Sequence, residues 1–221
     1  MQSLFDINGL MFWDETSIGA RRRFESYFAK QIQNSLREMN KAFEFFHIDA
    51  PTLTPIELIN AEYNGADIYI ASLQLALRPE TTAGSYRYAE FLLEHQHRPP
   101  FVVWQAGKSF RKEQDQVLKN VRLKEFYQQE FQCFYSIKTK NDYQANILEP
   151  LRNHFQRFFK AQVYIIESDR LPSYSLKTID FMVNGMEICS CSVRTDFSDS
   201  NILVLEIAIG LDRCVYQWLL D

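Results

Sequence analysis

Several things are scarce in this sequence, and each shortage excludes a class of protein. No apolar run reaches membrane-spanning length, and the opening MQSLFDINGLMFW lacks a basic segment followed by a long apolar stretch, which predicts a chain that neither crosses a bilayer nor carries a secretory leader. The four cysteines, Cys133, Cys189, Cys191 and Cys214, form no CxxC pair and no zinc-type spacing with a histidine, so neither a disulfide framework nor a structural zinc site is expected. Cys189 and Cys191 alternate along a strand pattern and are read as buried small hydrophobes, which fits a reducing, cytoplasmic location. A basic excess is also missing: the net charge is -4, so a generally basic nucleic-acid-binding surface is excluded and any nucleic-acid partner must meet a local patch. Glycine and proline supply only seven residues each, and neither is concentrated in a linker.

What is present is a large apolar share, 46% of 221 residues, enough to bury one core, so residues 1–221 are read as a single domain. Thr16 or Ser17 is the expected cap of a long amphipathic helix, because Phe24, Phe28, Ile32, Leu36, Met39 and Phe43 recur at steps of three and four. Arg21, Arg22 and Arg23 near its start oppose the helix dipole and read as a solvated basic turn or an anion contact. A short helix from Pro55 and a strand over 67–77 are expected next, then a helix over 80–97 stopped by Pro99 and Pro100. Strand patterns fill 101–135, and a helix follows over 142–159. Strands recur at 162–167, 174–183, 186–197 and 202–209 before a closing helix over 211–220. Neighbouring strands without intervening helices predict an α+β fold, a mainly antiparallel sheet flanked by helices.

The hairpin stretch FRKEQDQVLKNVRLKEFYQQEF, residues 110–131, is unusual in its charge. Successive strand residues face opposite sides, which separates Val102, Trp104, Ala106, Lys108 and Phe110 from Val103, Gln105, Gly107, Ser109, Arg111 and Glu113. In the returning arm Arg122, Lys124, Phe126, Gln128, Glu130 and Gln132 share one side. A sheet with one wet face accounts for the alternation. It does not account for so dense a mixture of amides and both charge signs, which suits a floor for a polyanion and an ammonium group: guanidinium forks for phosphate, carboxylates for the amine. On the last strand Val204, Glu206 and Ala208 share one face and Leu203, Leu205, Ile207 and Ile209 the other, so Glu206 is a lone acid in apolar surroundings and must be paired, metal-bound or protonated. Arg213, in the helix that follows, is either its ion-pair partner or a phosphate contact.

Five stretches in order, LRPETTAG (Leu77 to Gly84), FRKE (Phe110 to Glu113), VRLKEFYQQE (Val121 to Glu130), VRTDF (Val193 to Phe197) and EIAIGLDR (Glu206 to Arg213), resemble the catalytic core of class II aminoacyl-tRNA synthetases, and most of all glycyl-tRNA synthetases of the homodimeric type. IDAPTLTP around Pro51 resembles the first class motif, the FRKE hairpin the second and GLDR the third. The resemblance implies that Arg111 meets the α-phosphate of ATP and Arg213 the γ-phosphate, the two catalytic candidates. It also implies that Glu113 meets the adenine amino group, Phe126 stacks on adenine and Arg122 faces phosphate across the hairpin loop. Glu80, Glu130 and Glu206 would surround the amino-acid ammonium, and Arg78 would lie near its carboxylate. Glu187, with Glu206, is the implied Mg²⁺ contact, that ion preferring carboxylates together with phosphate oxygens.

The implied function is ATP-dependent formation of an aminoacyl adenylate, with glycine favoured, and transfer to tRNA. Two other readings stand beside it: loading of a carrier protein, and a non-catalytic synthetase-like accessory subunit. The resemblance also implies a homodimer. Two local departures bear on the substrate. The family's EPS is Glu206-Ile207-Ala208 here, and its ELEGIA region is Glu187 to Ser192. The sequence stops at Asp221, just past the third motif, so no anticodon-binding domain is expected within it.

Overall fold

A computed structural model describes residues 4–7, 9–63, 65–112, 121–169 and 171–221. Its centre is a seven-stranded sheet in the order β3-β6-β7-β11-β10-β9-β8. The strands are β3 (Glu44–His47), β6 (Phe101–Phe110), β7 (Glu125–Ser136), β8 (Val163–Glu167), β9 (Ser175–Val183), β10 (Met186–Arg194) and β11 (Ile202–Gly210). Only the β3–β6 pair is parallel; the other pairs are antiparallel, giving the expected mainly antiparallel α+β arrangement. Two small ribbons sit outside it, β1 (Leu4–Ile7) with β2 (Leu10–Trp13) and β4 (Leu53–Pro55) with β5 (Leu75–Leu77). Among the described residues, no helix is long and apolar enough to cross a membrane.

The long first helix, α1 (Glu15–Met39), starts earlier than expected. Its cap is Asp14, whose carboxylate accepts the Ser17 N–H at 2.8 Å and the Ser17 hydroxyl at 2.7 Å. An acid at this end also suits the dipole. Phe24, Phe28, Ile32 and Leu36 are buried, and truncating a fully enclosed ring such as Phe28 to alanine costs about 3–5 kcal/mol. Phe43 lies past the helix end. Arg21 is not a free basic residue: its guanidinium sits 3.7 Å over the Tyr127 ring and 3.7 Å from Asp212. Arg22 and Arg23 are exposed.

Helices α1, α3 (Tyr143–Gln156) and α4 (Leu211–Leu220) cover one side of the sheet, against Val102, Trp104, Phe131, Cys133, Leu205, Ile207 and Ile209. All four cysteines are buried and free, with Cys189 and Cys191 in this core. Helix α2 (Thr82–Glu94) covers part of the other side, packing Ala89 and Leu92 on Phe101, Val103, Phe134 and Val204. Further along that side the side chains become polar: Gln105, Ser109, Gln128, Glu130, Gln132, Ser192 and Glu206, all buried. The polar face of the hairpin is therefore not a wet face. It lies beneath α2 and the chain over 49–84, so its amides and acids need partners.

That covering stretch is less regular than the sequence pattern predicts. A single 3₁₀ turn, Ile56–Leu58, stands in place of a helix from Pro55, and only Leu75–Leu77 of the predicted strand over 67–77 is paired as a strand, together with an isolated bridge from Ile70 to Ala76. Its side-chain bonds run to the sheet below, and these form the site.

Candidate active site

At the middle of the polar face, β7, β11 and β10 lie side by side, with Glu130 opposite Ala208, Gln132 opposite Glu206 and Glu206 opposite Ser192. Antiparallel pairing thus brings Glu130 and Glu206 onto one face two residues out of register. The start of α2 supplies hydroxyls from above. Thr81 Oγ1 donates to Glu130 Oε2 at 2.5 Å, and Thr82 Oγ1 lies 3.3 Å from Glu130 Oε2 and 3.2 Å from Glu206 Oε2. Gln132 Nε2 donates to Glu206 Oε2 at 2.7 Å.

The cation among these acids is Arg194, at the end of β10 and 0% exposed. Its Nη1 donates to Glu206 Oε2 at 2.8 Å, its Nη2 lies 3.5 Å from Glu80 Oε1, and a fork of Nε and Nη2 meets Asp196 at 3.1 and 2.7 Å. The guanidinium lies 3.9 Å over the Tyr174 ring. Although burial pulls the other way, Glu206 and Glu80 hold Arg194 well above its ordinary range, so it is a fixed positive charge. Arg213 is thus not the partner of Glu206: it reaches Glu187 instead, 3.3 Å from that carboxylate, and donates to the Glu187 carbonyl at 3.0 Å.

Four carboxylates, of Glu80, Glu130, Glu206 and Asp196, share this one guanidinium. Glu130 carries the consequence. Burial first, then the charges of Glu206 and Glu80, push its carboxyl up to about 7. Oxygen acceptors are also in surplus, since Gln132 Oε1 is buried without a hydrogen-bond partner among the described residues. Such a site favours a cation that brings its own N–H donors. A cavity of about 130 Å³ lies beside it, lined by Leu58, Asn60, Glu80, Thr82, Ala83, Tyr86, Arg194 and Asp196, so that it meets Glu80 and Asp196 directly while Glu130 and Glu206 lie behind Thr82 and Arg194. That volume is well below the several hundred Å³ usual for a drug-sized ligand.

The other candidates lie around this centre. Arg111 is half-buried beyond β6. Its Nε donates to the Pro79 carbonyl at 3.0 Å, and its guanidinium carbon is 5.3 Å from the Tyr63 ring and 5.2 Å from the Phe126 ring, inside cation–π range. Phe126, which the resemblance puts against adenine, therefore lies beside the arginine it puts at the α-phosphate. Arg122 is exposed. Glu113 lies outside the described residues.

Arg78 donates to main-chain carbonyls. It is buried, with Nε donating to the Lys108 carbonyl at 2.9 Å and Nη1 to the Ala50 carbonyl at 2.7 Å and Gln105 Oε1 at 3.3 Å. A Cβ on Gly107 would collide with its Nη2, so the glycine makes room for an arginine that ties β6 to the chain around Pro51. Glu187 and Glu206 do not converge either. Glu206 pairs with Ser192, five residues along β10 from Glu187, roughly 15 Å at strand rise. No group of three or more His, Cys, Asp or Glu among the described residues could hold a metal ion.

Sequence reasoning gave no role to Arg194, Asp196, Thr81, Thr82 and Tyr63, and placed Gln132 only on the polar side of the returning arm. The signal for Arg194 was available. VRTDF places a lone arginine at the end of a strand otherwise built of Ile188, Cys189, Cys191 and Val193, and the rule that marked Glu206 as needing a partner applies equally to a buried guanidinium.

With this geometry established, the likeness to known proteins is informative. No protein-family model matches the chain. It aligns over 98% of its length with a prolyl-tRNA synthetase from Cryptosporidium parvum solved with halofuginone and AMPPNP, with a TM-score of 0.77 at 14% identity, covering 49% of that chain. It aligns over 89% with a pyrrolysyl-tRNA synthetase from Desulfitobacterium hafniense, with a TM-score of 0.67 at 16% identity, covering 68% of that chain. The protein has the fold of a class II aminoacyl-tRNA synthetase catalytic core. In sequence it is 31% identical over 176 residues to the glycine–tRNA ligase of Malacoplasma penetrans strain HF-2, a match covering 66% of this chain and 38% of that relative. The chain thus spans well under half the length of the curated relative and about half of the prolyl enzyme.

Proposed function

We propose that this domain activates a small amino acid with ATP, forming an aminoacyl adenylate, with glycine the favoured substrate, and passes the acyl group to tRNA. The observation that carries this reading is the surplus of buried negative charge around Arg194 at the foot of a cavity of about 130 Å³. An α-ammonium supplies the missing positive charge and N–H donors, and the cavity leaves little room for a side chain. Glu80, Glu130 and Glu206 hold the ammonium. Thr82 and Gln132 each reach both Glu130 and Glu206 and so tie those two carboxylates together, Thr81 holds Glu130, and Arg194 lies against Glu80 and Glu206 as their counter-cation. Arg78 acts from below, fixing the chain that roofs the site rather than touching the amino-acid carboxylate.

ATP lies along the rim. Arg111 takes the α-phosphate, where a rigid fork neutralises charge that develops as the amino-acid carboxylate attacks. Phe126 stacks on adenine, Glu113 meets its amino group, Arg122 faces phosphate and Arg213 takes the γ-phosphate. The AMPPNP in the prolyl enzyme supports a nucleotide on this fold. Among the described residues, Mg²⁺ fits as an ion carried mainly by phosphate oxygens, because Glu187 is a single, half-exposed carboxylate and Glu206 is committed to Arg194. A homodimer joined through the chain around Pro51 is part of the proposal, supported by the apolar side chains left exposed there, Leu53, Leu58, Ile70 and, at 99%, Leu73.

Amino-acid-dependent exchange of pyrophosphate into ATP tests the reading. Exchange with glycine is expected; no exchange with any of the twenty amino acids, from folded protein, would remove it.

A further inference from the structure

The resemblance gives roles to residues at the phosphate end and at the ammonium end, but not to the residue that touches both. Tyr63 is half-buried in the chain above the site. Its hydroxyl donates to Glu80 Oε2 at 3.0 Å, on the carboxylate whose other oxygen faces Arg194 at 3.5 Å. Its ring lies under the Arg111 guanidinium at 5.3 Å. Burial first, and then the nearby Glu80 charge, hold its hydroxyl well above the ordinary tyrosine range despite Arg111, so it remains a donor.

The backbone around Tyr63 is held from both sides. Asn60 accepts the Glu62 N–H on its side chain at 2.9 Å and the Tyr63 N–H on its carbonyl at 3.0 Å, a local turn that fixes the direction of the ring. The same Asn60 side chain donates to Asp196 Oδ2 at 2.8 Å, anchoring the turn to the Arg194 cluster. Four residues past Tyr63, the Asp67 carbonyl accepts the Lys112 N–H at 2.9 Å, anchoring the same stretch to the hairpin that carries Arg111. A tyrosine hydrogen-bonded to the carboxylate of one subsite, with its ring beneath the guanidinium of the other, is placed to orient both.

We infer that Tyr63 is a positioning residue that joins the two halves of the site: its hydroxyl aims the Glu80 carboxylate at the amino acid, and its ring supports the Arg111 guanidinium against ATP. This rests on the function proposed above and adds a residue to it. Because the two contacts use different parts of the side chain, they separate by substitution. Tyr63→Phe keeps the ring and removes the bond to Glu80; Tyr63→Leu removes both.

The test is steady-state pyrophosphate exchange with glycine and ATP varied separately. Tyr63→Phe is expected to raise the KM for glycine about tenfold, the scale of a lost bond to a charged group, and to leave the KM for ATP within about twofold. Tyr63→Leu is expected to raise both. Combining Tyr63→Phe with Glu80→Gln should add nothing to Glu80→Gln alone, because a hydroxyl that acts through Glu80 has nothing left to orient. The inference is overturned by an unchanged glycine KM in Tyr63→Phe, by an unchanged ATP KM in Tyr63→Leu, or by additive effects in the double variant, which mark a merely structural role. Any of these with an active parent protein leaves the proposed function standing; a parent that exchanges with no amino acid removes both.

Discussion

The two ends of the site are built on different physical principles. The end proposed for the ammonium is dry and over-determined: Glu130, Glu206 and Arg194 are almost wholly buried, and each is tied to several partners from the sheet, the start of α2 and the loop at Asp196. The end proposed for the phosphates is a rim. Arg111 is half-buried, Arg122 is exposed and Arg213 is held by Glu187, with 23% and 44% of their side chains exposed. A small substrate that differs from its competitors by single methylenes needs a preformed pocket, since such differences discriminate weakly unless the site is rigid. A triphosphate carries enough charge to organise exposed arginines as it binds. The contrast implies that substitutions at the first end break the fold and the chemistry together, and those at the second break chemistry alone.

The largest effect is expected at Arg194. Arg194→Met leaves the carboxylates of Glu80, Glu206 and Asp196 without their cation and should cost about 3–5 kcal/mol of stability, seen as a large fall in the urea midpoint together with loss of exchange. Arg111→Ala should lower exchange about 100- to 1,000-fold, the scale of removing one preorganised donor from developing charge, with a much smaller change in the urea midpoint. Equal destabilisation by these two substitutions would erase the distinction between the ends.

The next effect is a pH dependence. With its carboxyl raised to about 7, Glu130 must lose a proton before it can face an ammonium. Glycine affinity measured by calorimetry should therefore tighten as pH rises from 6 to 8, and the slope should flatten in Glu130→Gln. The stability sign follows from the same shift. Folding holds this proton more tightly than the unfolded chain does, so the group's contribution is fully present below the ordinary carboxylate value and is lost as pH rises through about 7. The smallest effect belongs to Glu187→Gln, whose half-exposed pair contributes at most about 1 kcal/mol to stability. It should raise the Mg²⁺ concentration needed for half-maximal exchange several-fold while leaving the urea midpoint nearly unchanged.

The same contrast explains what was legible in the sequence. The sheet and its helices were readable because period-2 and period-3.6 patterns record which side of an element is buried, as in the stripe from Phe24 to Leu36. Glu206 was readable because charge on an apolar strand is conspicuous, and Glu130 because its strand parity put it on the charged face of the hairpin. Which cation answers them was not, since Arg194 and Arg213 both lie close to Glu206 in the chain and only the β10–β11 register decides between them. The stretch over 52–77 resisted reading for another reason: its conformation is set by side-chain bonds to distant elements, such as Asn60 to Asp196 and Tyr63 to Glu80, which leave no periodic trace. The partners of Arg78 were not legible, because a buried arginine that binds backbone carbonyls has the same one-dimensional signature as one that binds a carboxylate.

The central claim is that the acids around Arg194 grip an ammonium group beside a bound nucleotide. The most direct measurement compares, by calorimetry, a non-hydrolysable glycyl-adenylate analogue with its counterpart in which hydrogen replaces the amino group. The account predicts that the amine binds at least about a hundredfold tighter at pH 8, corresponding to one or two charge-assisted hydrogen bonds, and that its binding near pH 7 releases a proton from Glu130. Equal affinities for the two analogues, with no proton release, would contradict it.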